Sequence, residues 1–510
     1  MKDSTINNKR IAKNTLLLYF RMLFLMIVSL YTSRVVLNTL GVEDFGIYNV
    51  VGGVVAMFSI LSGSLSAAIS RFITYELGKG NLDKLNKIFS SAVTIQLILA
   101  GIIIIIAETV GTWFLNAKMN IPDTRIEAAN FVFQFSILTF AINLVSVPYN
   151  ASIIAHEKMS AFAYISILEA IGKLTIAYLI VISPIDKLTF YAILMCIVAF
   201  IIRLTYGYYC KRHFNECTYH FIWDKQLLRQ MFNFAGWNFI GSSAVILRDQ
   251  GGNIIINLFC GPAVNAARGI AFQVNTAISG FVSNFMTALN PQITKSYAKQ
   301  DIAYMMTLIY QGARFSFYML LLLSLPIIIE TDYVLMLWLK EVPAHTALFV
   351  RLILIFALSE SISYPLITAM LATGNIRNYQ IIAGGINMLN LPISYILLQI
   401  GMPPATVFVV AIIISQCCLA VRLLLLKKMI GLKIKSYIRH VWLNVITVSC
   451  ISLIIPLYIN TLITKSFTGF VLLTFICILN VILIVFFIGC NVNERKIIKN
   501  KALSIIKRLI

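Results

Sequence analysis

Fourteen stretches of this chain are apolar over a span of twenty residues or more, and that feature constrains its fold most. They lie near 14–37, 46–69, 88–111, 129–153, 161–182, 188–209, 231–259, 264–289, 306–329, 345–371, 377–400, 404–426, 441–461 and 466–489. A helix needs about 20 mostly apolar residues to cross a bilayer, because lipid cannot satisfy a bare backbone. The chain is therefore expected to be an all-α integral membrane protein with about 14 transmembrane helices. Only 12% of its residues are charged, roughly half the share of a soluble domain. The first segment is too long for a signal-peptide core and lacks a small-residue cleavage site, so it reads as a retained span.

The formal net charge is +21, but its placement argues against a nucleic-acid partner. With the N-terminus in the cytoplasm, the inner loops and tails hold 27 Lys and Arg. The outer loops hold five: Lys118, Arg125, Lys187, Lys340 and Lys465. That bias orients a membrane protein, with both termini inside. The nine cysteines include no C-x-x-C, and most sit in apolar segments, where they serve as small packing residues. The five histidines show no ligand spacing. No metal site, no resident cofactor and no catalytic cluster is expected, and hence no enzyme.

The loops are short, and the longest, about 210–230, is basic and sits midway. It reads as a linker, giving an N-terminal bundle (1–225), a second bundle (226–435) and a final pair of helices with a basic tail (436–510). The bundles resemble each other. "LGVEDFGIYNVVGGVVAMFSILSGSLSAAISRFITYELGKGN" (40–81) aligns without gaps on "CGPAVNAARGIAFQVNTAISGFVSNFMTALNPQITKSYAKQD" (260–301). "SVPYNASIIA" (146–155) matches "SYPLITAMLA" (363–372), placing Pro148 on Pro365. Each repeat holds six helices, so both enter the membrane from the same side, as a parallel repeat. Two C-terminal helices fall outside it. The tail "NERKIIKNKALSIIKRLI" reads either as a helix on the inner leaflet or as a plain positive-inside anchor.

Nine cations stand inside the apolar segments: Arg21, Arg34, Lys173, Arg203, Arg248, Arg268, Arg314, Arg351 and Arg422. The acids there are Glu108, Glu169, Asp249 and Glu360. A charge at a helix centre costs roughly 2.5–3.5 kcal/mol even on lenient scales. Arg34, Arg268, Arg203 and Arg422 lie near helix ends and can snorkel. Lys173 and Glu169 are four apart and can pair, for structural or functional reasons. Arg248 and Asp249 sit at mid-depth in "SSAVILRDQGGNIII". As neighbours on a helix they point about 100° apart, which argues against their satisfying each other. Gly251 and Gly252 weaken the helix there and leave room for close approach, and Glu360 is a plausible partner. A buried structural pair is one reading. The sharper one is a cavity where Arg248 meets an anion, while Asp249 or Glu360 responds to a proton or sodium gradient. Pro148 and Pro365 would bend their helices.

"RVVLNTLGVEDFGIYNVV" and "YELGKGNLDKLNKIF" resemble the Wzx-type polysaccharide flippases, and "NPQITKSYAKQD" looks like the second copy of their inner loop. These flippases belong to the multidrug/oligosaccharidyl-lipid/polysaccharide exporter superfamily. The resemblance runs along the whole chain and implies a MATE-like fold, an inner-membrane location and a role in lipopolysaccharide or O-antigen assembly. The implied substrate is an undecaprenyl-pyrophosphate-linked oligosaccharide, flipped to the outer leaflet through a cationic cavity. Arg248, Arg34, Arg268, Arg314 and Arg351 would line it, with Arg21 near its entrance. Implied partners are membrane lipids and the polymerase and glycosyltransferases of the same pathway. A multidrug exporter would favour an acidic cavity, whereas the balance here is positive. A polysaccharide polymerase or ligase would need a large outer loop.

Overall fold

The computed structural model describes residues 2–56, 59–118, 121–339, 342–463, 466–492, 494–496 and 499. Among them the chain is helical, without a strand. Most of the tail lies outside the described residues, as do Lys340 and Lys465.

The first helix, Lys2–Ala56, is interrupted at Gly41, whose φ of 81° suits glycine alone. The break separates α1 (2–40) from α2, under which we group 42–56 and Ser59–Lys79. Next come α3 (82–118), α4 (Ile126–Ala155), α5 (Met159–Leu179) and α6 (Lys187–His213). One buried cluster draws on all six: Val36, Ile47, Leu115, Phe133, Ile180 and Leu188 each come from a helix or from the turn that closes it. At the π turn Ala107–Gly111 in α3, a Cβ on Gly111 would sit 2.6 Å from Phe133 Cζ. A larger residue at 111 would have to push the buried Phe133 ring aside. Between α6 and the next helix, 214–224 is non-helical, opens with a turn at 215–216 and is pinned rather than loose. Asn86 donates to the carbonyls of Glu216 and Thr218, and His156 Nε2 lies 2.5 Å from Glu216 Oε1.

Helical geometry continues through Lys225–Ala298, yet this stretch holds two spans. Phe234 packs on Phe72 and Tyr297 on Tyr75. Residues 72 and 75 are one turn apart, whereas a straight helix from 234 to 297 would be about 95 Å long. Arg268 also bonds the carbonyl of Asp249, so the chain reverses between those residues. We call the arms before and after the reversal α7 and α8. There follow α9 (Ile302–Ile329), a short helix Thr331–Trp338, and α10, which is Thr346–Ser361 and Tyr364–Thr373 bent by 40°. The chain ends with α11 (Arg377–Met388 and Asn390–Gln399), α12 (Thr406–Ile430), α13 (Ile434–Asn460) and α14 (Phe467–Gly489). Among the described residues all fourteen expected segments are thus mainly helical. Among the described residues nine helices are long and apolar enough to span a membrane, or ten with the bent pair. The four arms α1, α2, α7 and α8 fall outside that set.

The chain divides into two compact units, Met1–Ser242 with Thr294–Asp301, and Ser243–Ile293 with Ile302–Ile510. The duplication is written in the backbone. Gly80 and Gln300, equivalent in the first alignment, both close a helix in the left-handed region, with φ of 75° and 61°. Glu157 and Gly374, two residues beyond the second alignment at the same offset, do the same at 58° and 78°. Within the first unit the equivalent positions Gly78 and Ala298 touch. A Cβ on Gly78 would lie 2.8 Å from the Cβ of Ala298 and 3.0 Å from the Cα of Lys295. Because backbone cannot yield as a side chain does, Gly78→Val is expected to destabilise this unit by about 1–3 kcal/mol. Thermal unfolding in detergent would read it as a lowered midpoint, and an unchanged midpoint would mean the crossing is loose.

Candidate functional site

The second unit gathers charge from four helices. α7 supplies Arg248 and Asp249, and the Arg248 Nε donates to Asp249 Oδ1 at 2.9 Å. This corrects the expectation that neighbouring residues could not satisfy each other. Their Cβ atoms do diverge, but an arginine side chain is long enough to fold back across the gap. The same guanidinium lies 4.9 Å over the Phe356 ring of α10, with Glu360 and Tyr364 of that helix as charged and polar neighbours. α8 supplies Arg268, which donates from Nη2 to the Asp249 carbonyl at 2.6 Å and stacks on Phe272.

The glycines make room for these contacts. The helix runs unbroken through Gly251 and Gly252, so neither weakens it visibly. A Cβ on Gly251 would meet Leu391 Cδ1 at 2.0 Å, and one on Gly252 would meet Arg268 Nη2 at 3.1 Å. The first admits α11 and the second seats a guanidinium.

From Glu360 the chain of polar contacts continues. Ser415 of α12 donates to Glu360 Oε1 at 2.7 Å, and Arg422 Nη1 stands 3.9 Å from the same oxygen. Arg422 also interacts with Tyr379 of α11. Arg422 had an easy escape to the headgroups on paper; instead its side chain is only 4% exposed. By sequence Arg422 is offered only as a snorkelling cation, and Ser415, Tyr364 and Tyr379 are not singled out as its companions. One available signal was that Ser415 and Arg422 are seven apart on α12, hence on one face.

Three arginines thus face two carboxylates, a surplus of one positive charge. Several donors stay idle: Arg268 Nε, Arg422 Nε and Arg422 Nη1 are buried without a hydrogen-bond partner. Buried donors left unpaired are costly, and an incoming anion would satisfy them. Asp249, 35% exposed, is the open edge of the group.

The other candidates lie elsewhere. Arg314 donates to the Gly489 carbonyl and pairs with Glu494 at 2.6 Å. Arg351 holds Asp332 and the Ile328 carbonyl. Arg21 is in the first unit, stacked over Phe162, and the side chain of Arg34 is outside the described set. Pro148 sits within the unbroken α4, whereas Pro365 opens the second piece of α10 just after its 40° bend. No group of three or more His, Cys, Asp or Glu side chains suited to a metal occurs among the described residues.

The sequence profile described as "Polysaccharide biosynthesis protein" matches residues 11–297. The chain is 19% identical over 307 residues to the "Uncharacterized membrane protein EpsK" of Bacillus subtilis (strain 168), a match covering 59% of each chain. Among solved structures it resembles "MATE in complex with MaD3S", with a TM-score of 0.73 at 13% identity, covering 83% of this chain and 96% of that one. It also resembles the Vibrio cholerae MATE transporter VcmN in the bent form, with a TM-score of 0.70 at 14% identity, covering 86% and 99%. At such identities the structures speak for the fold alone, and that fold is MATE-like.

Proposed function

The chain belongs to the polysaccharide biosynthesis protein family, and from that premise we propose that it flips polyprenyl-pyrophosphate-linked oligosaccharides across the bacterial inner membrane. The observation that carries this reading is the cationic surplus of the second unit, with guanidinium donors idle in a membrane-spanning bundle. A pyrophosphate offers several acceptor oxygens and negative charge, and arginine forks match phosphate geometry. Arg268 and Arg422 supply the idle donors, while Arg248 is held in place by Asp249. Asp249 and Glu360 are the groups that a coupling proton or sodium ion would address. The transporter moves a finished molecule and forms no bond, so no enzymatic step is assigned. It works by alternating access, with the lipid tail left in the bilayer.

The 27-to-5 split of loop cations supports cytoplasmic termini. Substrate would then be taken from glycosyltransferases on the inner side and passed to a polymerase on the outer side. The test uses purified protein in liposomes loaded with labelled undecaprenyl-pyrophosphate oligosaccharide. Headgroups are expected to reach the opposite face faster than in empty liposomes. No acceleration, with efflux of a cationic dye from the same vesicles, would move the chain to the drug exporters.

A further inference from the structure

The first unit has a polar feature that the pyrophosphate reading leaves unused. α5 shows two accessible faces of opposite character. Tyr164, Leu168, Ile171, Thr175, Tyr178 and Ile182, on α5 and the turn closing it, are exposed at helical spacing, an uncharged stripe whose Tyr178 hydroxyl meets that of Tyr31 on α1 at 2.8 Å. Glu169 and Lys173 lie roughly 140–180° around the helix from Tyr164. Their neighbours on that side, Phe162, Ser166, Ile176 and Ala177, are buried. Yet Glu169 and Lys173 are 42% and 44% exposed, with Lys173 Nζ donating to Glu169 Oε1 at 2.6 Å. They stand at the middle of α5, where charge facing hydrocarbon is strongly disfavoured. The pair therefore lines a polar crevice within the unit.

Its walls are chemically distinctive. Arg21 of α1 stacks 4.3 Å over Phe162, lies within electrostatic reach of Glu169 and Tyr206, and keeps a buried Nε without a partner. Tyr48 of α2 is within reach of Lys173 and packs edge-on against Tyr191 of α6 at 4.8 Å. A carboxylate beside an ammonium suits neighbouring hydroxyls, each of which both donates and accepts. Phenol rings offer faces and hydroxyls to a sugar ring. A phosphate would meet Glu169 as a like charge. Resting on the flippase reading, we propose that this crevice holds the oligosaccharide part of the substrate, apart from the arginines that take the pyrophosphate.

Binding to purified protein in detergent would be compared for undecaprenyl pyrophosphate and the same lipid bearing N-acetylglucosamine. Glu169→Gln and Lys173→Met are expected to weaken the sugar-bearing lipid by about tenfold, the worth of one or two hydrogen bonds. They should leave the bare lipid unchanged, whereas Arg268→Met should weaken both alike. Equal losses on the two lipids, or none on either, would overturn the sugar site. If the unaltered protein binds neither lipid, the pyrophosphate reading falls. The crevice is then judged by whether free chito-oligosaccharide, and not inorganic pyrophosphate, shields Glu169 from a carbodiimide: shielding upholds it and its absence ends it.

Discussion

Arg268→Met is expected to slow headgroup exposure in proteoliposomes by about 10- to 100-fold, with the protein still abundant in the membrane. Among the described arginines of the cluster, Arg268 is the one whose hydrogen bond goes to a main-chain carbonyl rather than a carboxylate. Its charge is therefore the most available to a ligand, and its Nε is an idle donor. Hydrogen bonds to charged groups are worth about 1.5–3 kcal/mol each, which sets the size of the loss. Methionine keeps much of the apolar stem while losing the guanidinium that stacks on Phe272, and the fold should tolerate the change. Arg351→Met is the control. That side chain is over a third exposed and tied to Asp332, and its loss should leave transport near the unaltered rate. If both variants transport normally, the anion site is not where the buried arginines are.

The contrast between these arginines shows how far the sequence could be read. Segments and breaks were legible because each is local, and the repeat because the same helix-end pattern recurs along the chain. Gly41 stands where a helix must turn, and Gly80 and Gln300 recur at equivalent helix ends. Arg248 and Asp249 stand out as the odd feature of α7 in the sequence too, since mid-span charge needs a reason. What sequence could not supply was direction. Arg268 and Arg422 sit near helix ends and could have reached the headgroups, yet both turn inward. The difference lies in what surrounds them: the space left by Gly252, and the Glu360 carboxylate of another helix. Partners that are tens of residues away leave no periodic trace. The same limit hides Glu494, the partner that Arg314 finds 180 residues away.

Arg314 supplies the prediction with the largest effect on stability. Its side chain is 9% exposed and that of Glu494 6%, and they pair at 2.6 Å across 180 residues of sequence. The Gly489 carbonyl accepts from Arg314 Nη1 and from the Tyr318 hydroxyl, and Tyr318 also bonds Asn444. One guanidinium thus ties α9 to the end of α14 and the residues after it. Removing one member of a buried pair strands the other, at a cost of about 3–5 kcal/mol. Glu494→Leu is accordingly expected to lower the unfolding midpoint sharply, and Arg314→Met to do the same. In the double variant no charge is stranded, so most of the loss should be regained. Additive losses would mean that the residues act separately, with the pair contributing little. Recovery of stability together with transport would assign Arg314 to architecture, because a ligand-binding arginine cannot be replaced by methionine without loss of its ligand.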